Sequence, residues 1–526
     1  MNWLMKPLPA ALLLVLLWTG GRLVFLMEGG IPAPQVHDEF SYLLGADTFA
    51  HGRLTNPPHP LAKFFESPHE IFHPTYASKY PPGQAMFLAL GQRLFGSPFY
   101  GVLIGNAFML FTFCLMLYAW VPPPWAIAVS VMFGLILSPD MYWTNSYWGG
   151  SVAASGGALV LLGIGTYRKK AGASAGAIFG IGILLLFWTR PFEGGLFTVA
   201  VLIVLTKDLW IRRRASAFAA ALSFLAAGGI WTCYYNWTVT GNPLLLPYML
   251  HVRQYDVAPV LWFLPVRPEP AYSHPRLGAL HGNEGWEMLS YRDNRSWRRR
   301  IRFNLMNVLR NLETALQIAL ALTLLFPVAW RSQTFRSMVI ISGTFLLALS
   351  IETFHFEHYE APVWAAFALM IAVWFEHAWQ IRFKKLRVGI ALVLLIMVLP
   401  IILRPPHLFG LLREVFEKRS KNASVEIAID DFADQRVALI ARLSQLQQKQ
   451  LLIVRYPEPD WNVDEEWVYN SADIDGQRVV FAHDLGEEQD RALLDYYPDR
   501  AALLLTFNPE SGQEQIEPYR GEAPRH

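Results

Sequence analysis

The sequence predicts an α-helical polytopic membrane protein of about 11–13 transmembrane helices with a small C-terminal α/β soluble domain. Hydrophobic residues make up 53% of the chain and charged residues only 16%, whereas roughly a quarter of an ordinary soluble protein is charged. Apolar runs of near-spanning length recur up to residue 403, and charges become dense from residue 404 onwards. These observations predict a transmembrane domain, 1–403, and a soluble domain, 404–526.

The apolar runs predict the individual membrane helices. A run from Leu8 to Met27 is interrupted at 19–22, and no convincing signal-peptide cleavage site follows it, so we expect an uncleaved first helix. A shorter run at 83–95 is either a full span or a tilted, partly buried helix. Further runs of near-spanning length lie at 99–120, 125–138, 151–166, 175–189, 193–206, 216–238, 311–330, 337–352, 361–379 and 387–403.

Basic residues orient these helices. Lys and Arg clusters stand in short connections at every second boundary, at 168–170, 207–214, 331–336 and 382–385. The positive-inside rule places them in the cytoplasm. The loops 28–82, 239–310 and 353–360, and everything after 404, are then expected to face the periplasm or cell exterior. This arrangement requires an odd number of spans, whereas counting 83–95 as a span gives an even number, twelve. The basic run at 298–302 is a second conflict, because the positive-inside rule does not expect it in an external loop.

The C-terminal segment alternates short apolar strands with helical patterns, which is typical of a small α/β domain. The predicted strands are Leu451–Arg455, Val479–His483 and Ala502–Phe507. The predicted helices are Asp434–Gln448 and Glu488–Tyr496.

Asp38 and Glu39 begin a short helical pattern just after the first span, because Phe40, Leu43 and Leu44 form an apolar stripe at helical spacing. Acids at this position either satisfy the free N–H groups of a helix start or carry chemistry. A carboxylate near the membrane surface can act as general base for a hydroxyl acceptor. Spacing alone leaves both interpretations open.

The same loop supplies polar partners for a catalytic carboxylate, namely Glu66, His69, His73, Lys79 and Tyr80. Lys79 or a nearby arginine is suited to hold a phosphate through charge-assisted hydrogen bonds. The histidines lack the compact ligand spacing of a metal site. A divalent metal ion stays an open alternative with unassigned ligands, because Asp38 and Glu39 could bind one weakly.

Two further polar patches are predicted on the same face. Arg190 and Glu193 lie between two spans, where charge is costly, so they either pair with each other or serve a ligand. His355, His358 and Tyr359 stand at the end of another span together with two glutamates, a combination that favours a polar site.

Charge, cysteines and motifs exclude several classes of protein. The net charge of +2 indicates no particular partner, and no nucleic acid is expected. Cys114 and Cys233 both lie in apolar runs, which excludes a disulfide framework. The sequence has no Gly-x-Gly-x-x-Gly or P-loop string, so the phosphate-binding loop of a nucleotide-sugar enzyme is not expected.

Three short motifs resemble the GT-C superfamily of membrane glycosyltransferases, in the bacterial branch near the protein mannosyltransferases and the aminoarabinose transferases of lipid A. They are Asp38-Glu39 after the first span, Tyr80-Pro-Pro-Gly before the next apolar segment, and His358-Tyr359-x-x-Pro late in the bundle. The string 38–44 together with 147–150 is similar to the bacterial Rgt-like group. In layout the resemblance covers residues 1 to about 405 and implies a GT-C-like bundle.

The resemblance implies transfer of a sugar, with inversion, from a polyprenyl-phosphate-linked donor to an extracytoplasmic acceptor: a lipid, polysaccharide or protein of the cell envelope. It implies a multi-pass protein of the bacterial inner membrane whose site and C-terminal domain face the periplasm. Asp38 would deprotonate the acceptor, and Glu39 would orient the acceptor or assist Asp38. The candidates for holding donor phosphate or substrate are Lys79, Tyr80, Arg190, His355, His358 and Tyr359. The C-terminal domain would cover the site or engage the acceptor.

Three rival functions make different demands on the sequence. A transporter or flippase of a lipid-linked or small polar substrate needs ionisable residues at mid-membrane, where Arg22 is the main candidate. A polysaccharide polymerase or ligase would use a pyrophosphate-linked oligosaccharide donor. A non-catalytic scaffold would tolerate Asp38→Asn. The notable charges cluster at one face, and this favours a transferase.

Overall fold

The computed structural model describes residues 2–137, 141–212, 214–296, 298–299, 323–324, 327–382, 387–402, 429–508 and 513–519. The helices up to the second predicted external loop are α1 (Pro7–Gly29), α2 (His37–Ala50), α3 (Pro82–Phe95), α4 (Phe99–Trp120), α5 (Pro123–Ile136), α6 (Tyr142–Asn145), α7 (Ser151–Lys169), α8 (Ala173–Thr189), α9 (Pro191–Arg212) and α10 (Ala215–Thr240). Those that follow are α11 (Pro247–Gln254), α12 (Pro275–His281), α13 (Trp286–Asn294), α14 (Gln333–Leu349), α15 (Trp364–Ala378), α16 (Val388–Ile402), α17 (Ile429–Ser444) and α18 (Glu487–Tyr496).

Among the described residues, four helical segments are long and apolar enough to cross a membrane: Pro7–Met27, Phe99–Trp120, Ala215–Thr240 and His358–Ala378. Shorter apolar helices cover Pro123–Ile136, Ala173–Thr189, Pro191–Leu205 and Gln333–Leu349. The chain is therefore a helical membrane protein, as predicted. Most of the predicted run 311–330 lies outside the described residues, so the number of spans stays a prediction.

Helix α3 covers the run at 83–95, which the sequence left open as either a full span or a tilted, partly buried helix. Its 14 residues extend about 21 Å at 1.5 Å per residue, which is shorter than a hydrocarbon core of about 30 Å. Leu90, Leu94 and Phe95 are exposed on it, while the residues on its other face are buried. This amphipathic pattern favours a surface helix over a span.

The chain divides into two compact units, each made of three segments. Unit 1 comprises 1–32, 99–231 and 296–423, and unit 2 comprises 33–98, 232–295 and 424–526. Unit 2 thus collects most of the two long loops and the C-terminal segment that the sequence places on the external side. The predicted boundary between 403 and 404 lies outside the described residues.

The core of unit 1 is built from apolar helices that approach closely. The rings of Trp143 and Trp364 stack with centroids 4.1 Å apart. A Cβ atom at Gly157 of α7 would lie 2.1 Å from the carbonyl oxygen of Pro362, so only glycine allows this approach. The contact fixes the end of the His-Tyr-x-x-Pro motif against α7, in the way that small residues let membrane helices pack.

Unit 2 contains a four-stranded sheet, which confirms the predicted C-terminal α/β fold. Its strands are β3 (Gln450–Val454), β4 (Val479–His483), β5 (Ala501–Phe507) and β6 (Glu514–Pro518), preceded in the chain by a hairpin of β1 (Glu70–Ile71) and β2 (Ala77–Ser78). The spatial order is β4-β3-β5-β6, with β3 parallel to β4 and β5, and β6 antiparallel to β5. The antiparallel edge strand β6 was not predicted.

Alternate residues of β3 face opposite sides of the sheet, as strand geometry requires. Leu451 and Ile453 pack into a cluster with Phe64, Phe65 and Phe72 of the first loop. The neighbouring residues 452 and 454 pack into a second cluster with α17. The first loop therefore shares a hydrophobic core with the C-terminal sheet, and this core supports the segment that carries Asp38 and the hairpin.

Candidate active site

The hairpin determines which side chains meet beside α2. Glu70 of β1 pairs with Ser78 of β2, so the residues just outside the pair, His69 and Lys79, lie opposite each other. The backbone N–H of Lys79 donates to the carbonyl of His69 at 3.2 Å. Two residues ten positions apart in the sequence are thus brought side by side at the mouth of the hairpin.

Ser41 joins the hairpin to α2. Its hydroxyl donates to the carbonyl of His69 at 2.6 Å and lies 2.8 Å from the hydroxyl of Ser78. His69 has a φ of +67°, a left-handed conformation that costs a residue other than glycine about 1–3 kcal/mol. The hairpin and Ser41 hold His69 in this conformation, and such strain is characteristic of functional positions.

Each carboxylate oxygen of Asp38 has a different neighbour. Tyr80 donates its hydroxyl to Oδ1, and Nε2 of His69 lies 3.9 Å from Oδ2. Burial, and then the charge of Asp38, raise the pKa of Tyr80 well above its usual value, so Tyr80 stays protonated and donates. The Asp38 side chain is still 26% exposed, which leaves the carboxylate accessible to an acceptor.

Lys79 is a buried cation, 4% exposed. Its ammonium group lies 2.7 Å from Nδ1 of His69 and 5.3 Å from the ring centroids of Tyr80 and Tyr248. Burial, and then the charge of Lys79, lower the pKa of His69 well below its usual value. A neutral His69 that accepts from Lys79 at Nδ1 carries its proton on Nε2, which is the ring nitrogen near Asp38.

Glu39 caps the start of α2. Its Oε2 atom accepts from the backbone N–H of Gln35 at 2.6 Å and of Val36 at 3.2 Å, and the residue is 2% exposed. The two acids thus divide the roles that the sequence left open: Glu39 satisfies backbone donors, while the side chain of Asp38 contacts Tyr80 and His69.

Three buried histidines of unit 2 converge next to this site. The side-chain nitrogens of His69, His251 and His281 lie within 4.8 Å of one another, and Asp256, His281 and Glu287 form a second group of the same kind. Burial and the charge of Lys79 lower the pKa of His251 to about 3. Burial acts in the same direction on His281, but Glu287 and Asp256 outweigh it and raise that pKa. These residues could hold a metal ion.

The remaining predicted site residues lie in unit 1 and form a polar, aromatic patch. Arg190 caps the end of α8, contacts Glu193 at 3.2 Å and lies 4.4 Å from the ring centroid of Tyr359. Nδ1 of His358 lies 3.1 Å from the hydroxyl of Tyr142, and the rings of His358 and Tyr359 are 4.9 Å apart. His355 contacts Glu360 at 3.1 Å.

The structure therefore gathers the predicted residues into two sets, one in each unit. Asp38, Lys79 and Tyr80 belong to the unit 2 set. Sequence reasoning missed four residues beside that set, namely His251, Asp256, His281 and Glu287. They are spread over 37 positions of the second predicted external loop, from 251 to 287, so they form no short motif that the sequence could reveal.

No protein-family model matches the sequence, and no curated protein matches it. Among solved structures, the chain is similar to the Archaeoglobus fulgidus oligosaccharyltransferase in complex with Zn and sulfate, with a TM-score of 0.44 and 12% identity over 90% of this chain and 64% of that one. This chain thus spans less than two thirds of that protein.

A second similar structure is ArnT from Cupriavidus metallidurans bound to undecaprenyl phosphate, with a TM-score of 0.48 and 12% identity over 94% of this chain and 93% of that one. A third is Archaeoglobus fulgidus AglB in complex with an inhibitory peptide and a dolichol-phosphate, with a TM-score of 0.40 and 11% identity over 94% and 71% of the two chains. Similarity at this level assigns no activity to this chain.

Proposed function

We propose that this protein is a membrane glycosyltransferase that moves a sugar from a polyprenyl-phosphate-linked donor to a hydroxyl-bearing acceptor of the cell envelope. The observation that carries the proposal is the setting of Asp38. A partly exposed carboxylate is held by Tyr80 and approached by His69, with a buried cation, Lys79, behind that histidine. Fixed charges and donors around an accessible carboxylate are the arrangement of a general base.

In the proposed reaction, Asp38 removes the proton from the acceptor hydroxyl. The acceptor oxygen attacks the anomeric carbon of the donor, and the bond from that carbon to the phosphate oxygen breaks. The lipid phosphate leaves with the bonding electrons, and in-line attack inverts the anomeric configuration. Tyr80 orients Oδ1 of Asp38, and His69 presents its Nε2 proton towards Oδ2.

The donor phosphate needs cationic or hydrogen-bonding partners, and the unit 1 patch offers them. We assign this role to Arg190 and Tyr359, with His355 and His358 around them. Arg190 combines a guanidinium group, which binds phosphate oxygens in pairs, with an aromatic face that fixes its orientation. Lys79 is bonded to His69 and nearly fully buried, so we assign it to electrostatic support of Asp38.

We also propose that the site and the C-terminal segment 404–526 lie on the periplasmic side of a bacterial inner membrane. The basic connections support this orientation through the positive-inside rule, and most of the two long external loops belongs to the same compact unit as residues 424–526. The shared core of the first loop and the sheet supports a C-terminal domain that braces the site. A divalent metal ion, the remaining cofactor alternative, fits the histidine cluster better than Asp38 with Glu39, because Glu39 is occupied by backbone donors.

The strongest rival, a flippase or transporter, gains no support from Arg22. This arginine of α1 is 4% exposed and donates to the carbonyl of Thr144 at 3.0 Å and to the side chain of Asn145. These bonds give the buried charge a structural role in unit 1. Arg22 therefore offers no reason to place a substrate pathway there.

Glycan and lipid profiling of a deletion strain tests the proposed function. The strain is complemented with the wild type, with Asp38→Asn, or with Asp495→Asn, which changes an exposed carboxylate of unit 2. We expect one sugar modification of the envelope to disappear and to be restored by the wild type and Asp495→Asn alone. An unchanged profile in the deletion strain, or restoration by Asp38→Asn, would overturn the proposal.

A further inference from the structure

Residues 461–469 of the C-terminal segment lie beside the start of α2. Nδ1 of His37, the first residue of α2, lies 2.8 Å from the hydroxyl of Tyr469. The ring of Tyr469 also stacks on Phe40 in the same helix, with centroids 4.2 Å apart and ring planes 3° apart. The C-terminal segment therefore contacts α2 on both sides of Asp38.

Arg276 of α12 holds the loop 461–466 in place. It is 6% exposed. Its guanidinium group binds four partners in that loop: the carbonyl oxygens of residues 461, 462 and 465 and the carboxylate of Glu466. Asn462 has a φ of +32°, a strained conformation that persists only where surrounding contacts enforce it. The backbone of Asp464, which lies between these contacts, is therefore held in position.

The ring of His37 carries its proton on Nε2. Burial is the main cause that lowers the pKa of His37, so the ring is neutral. Burial also raises the pKa of Tyr469 well above its usual value, so the hydroxyl keeps its proton, and His37 is its hydrogen-bond partner among the described residues. Tyr469 therefore donates to Nδ1, and the neutral imidazole has its proton on the other nitrogen.

This Nε2–H group is a buried donor that lacks an acceptor. Nε2 of His37 makes no hydrogen bond to any residue that the structure describes, although the residue is only 4% exposed. Oδ1 of Asp464 lies 3.8 Å from it, which is too far for a hydrogen bond. A buried polar group without a partner is costly, whereas the Asp464 side chain is 52% exposed. A ligand can therefore reach the pair from the solvent side of Asp464.

One hydroxyl group satisfies both atoms. Its oxygen accepts from Nε2–H and its proton is donated to Asp464, because an oxygen about 2.8 Å from each atom can bridge such a gap. Rotation of the exposed Asp464 side chain admits this group. An ammonium group cannot accept from Nε2–H, and Asp464 repels a carboxylate or phosphate. The pair therefore favours a neutral hydroxyl over charged groups.

We propose that His37 and Asp464 bind a second hydroxyl of the acceptor, so that the acceptor is a saccharide, either free or carried on a lipid. This inference rests on the proposed function, in which Asp38 deprotonates the first hydroxyl. The centroid of the His37 ring lies 5.8 Å from that of His69, whose Nε2 approaches Asp38. Sugar rings carry neighbouring hydroxyls, whereas a serine or threonine side chain carries one.

Acceptor saturation of the purified full-length protein tests this site. Transfer from radiolabelled polyprenyl-phosphate sugars is measured against increasing amounts of an envelope extract that has been digested with protease, with the protease then inactivated. Asp464→Ala should raise the amount of extract needed for half-maximal transfer about 10- to 100-fold, the effect of losing a hydrogen bond to a charged group. The maximal rate and the half-saturating donor concentration should change little.

Asp460→Ala, at an exposed aspartate just before the same loop, is the matched control and should behave as the wild type. A wild type that transfers no label overturns the proposed function and this inference with it. If the wild type transfers label, an equal half-saturating amount of extract in Asp464→Ala overturns the site alone. Label recovered on peptides rather than on saccharides or glycolipids overturns the assignment of the acceptor.

Discussion

The Nζ atom of Lys79 lies 2.7 Å from Nδ1 of His69, and Nε2 of the same ring lies 3.9 Å from Asp38. Lys79 therefore acts on Asp38 through an imidazole rather than by direct contact. A neutral His69 with its proton on Nε2 turns a donor towards the carboxylate, and this arrangement links a buried cation to the proposed catalytic base.

Replacing Lys79 tests this relay. Lys79→Met removes the buried charge and the bond at Nδ1, so the His69 proton is no longer fixed on Nε2. We expect kcat to fall about 100-fold or more, the loss typical of removing one preorganised electrostatic group. The exposed Lys63→Met is the matched control. Equal turnover of Lys79→Met and Lys63→Met would show that the relay does not contribute.

Replacing Tyr80 tests the hydrogen bond that its hydroxyl donates to Oδ1 of Asp38. Tyr80→Phe keeps the ring that stacks on Tyr42 and removes only the hydroxyl that donates to Asp38. A hydrogen bond to a charged group is worth about 1.5–3 kcal/mol, so kcat should fall about 10- to 100-fold with little change in KM. Tyr496→Phe, at a partly exposed tyrosine that also donates to an aspartate, should behave as the wild type. A change confined to KM would contradict the positioning role.

Substitutions of the two acids in the Asp38-Glu39 motif should have different effects, because Asp38 is the proposed base and Glu39 is a helix cap. Glu39→Gln keeps an oxygen that can accept from the N–H groups of Gln35 and Val36, so transfer should persist. Glu39→Ala should lower the free energy of unfolding by about 0.5–2 kcal/mol through the lost cap. Thermal unfolding of both variants, alongside transfer by Glu39→Gln, checks this. Loss of transfer in a folded Glu39→Gln would show that Glu39 takes part in the chemistry.

The pH dependence of stability should reflect two buried histidines outside the active site. His274 and His483 stack with centroids 3.7 Å apart, and each donates to the carbonyl of Glu66 at 2.8 and 3.0 Å. Burial is the main cause that lowers the pKa of both histidines. The neighbouring His483 lowers the pKa of His274 further, and the charge of Arg276 lowers that of His483. Below pH 6.5 the unfolded chain therefore binds more protons than the folded chain, and folding stability falls as the pH decreases.

Between pH 7 and pH 5 this loss should reach up to about 2 kcal/mol for each histidine. Thermal unfolding followed by tryptophan fluorescence measures it. The slope with pH should be shallower in His274→Asn with His483→Gln than in the wild type or in His51→Ala. An identical slope in all three proteins would contradict the assignment.

The local elements were predictable because their signals are local. Strand Val479–His483 was predicted to the residue, and α4 was predicted at 99–120, since continuous apolar character marks both. The edge strand Glu514–Pro518 was missed because it is mostly exposed and polar. Tertiary pairing with β5, rather than its own pattern, makes it a strand.

The candidate site was predictable only in part. Asp38 and Tyr80 stand in recognisable motifs, and the helical spacing offered capping as one role for the two acids. The spacing did not show which acid is the cap or that Tyr80 donates to Asp38. The meeting of His69 with His251 and His281 depends on the path of a long loop. Such contacts are set by tertiary packing, which periodicity and short motifs do not encode.

The most direct test of the central claim is sugar transfer by the purified protein. Wild type, Asp38→Asn and the control Asp495→Asn are incubated in detergent with a lipid extract that contains radiolabelled polyprenyl-phosphate sugars and with an envelope extract as acceptor. We expect label to move to the acceptor with the wild type and with Asp495→Asn, and expect nearly none with a folded Asp38→Asn. Full transfer by Asp38→Asn would contradict the assignment of Asp38 as the base.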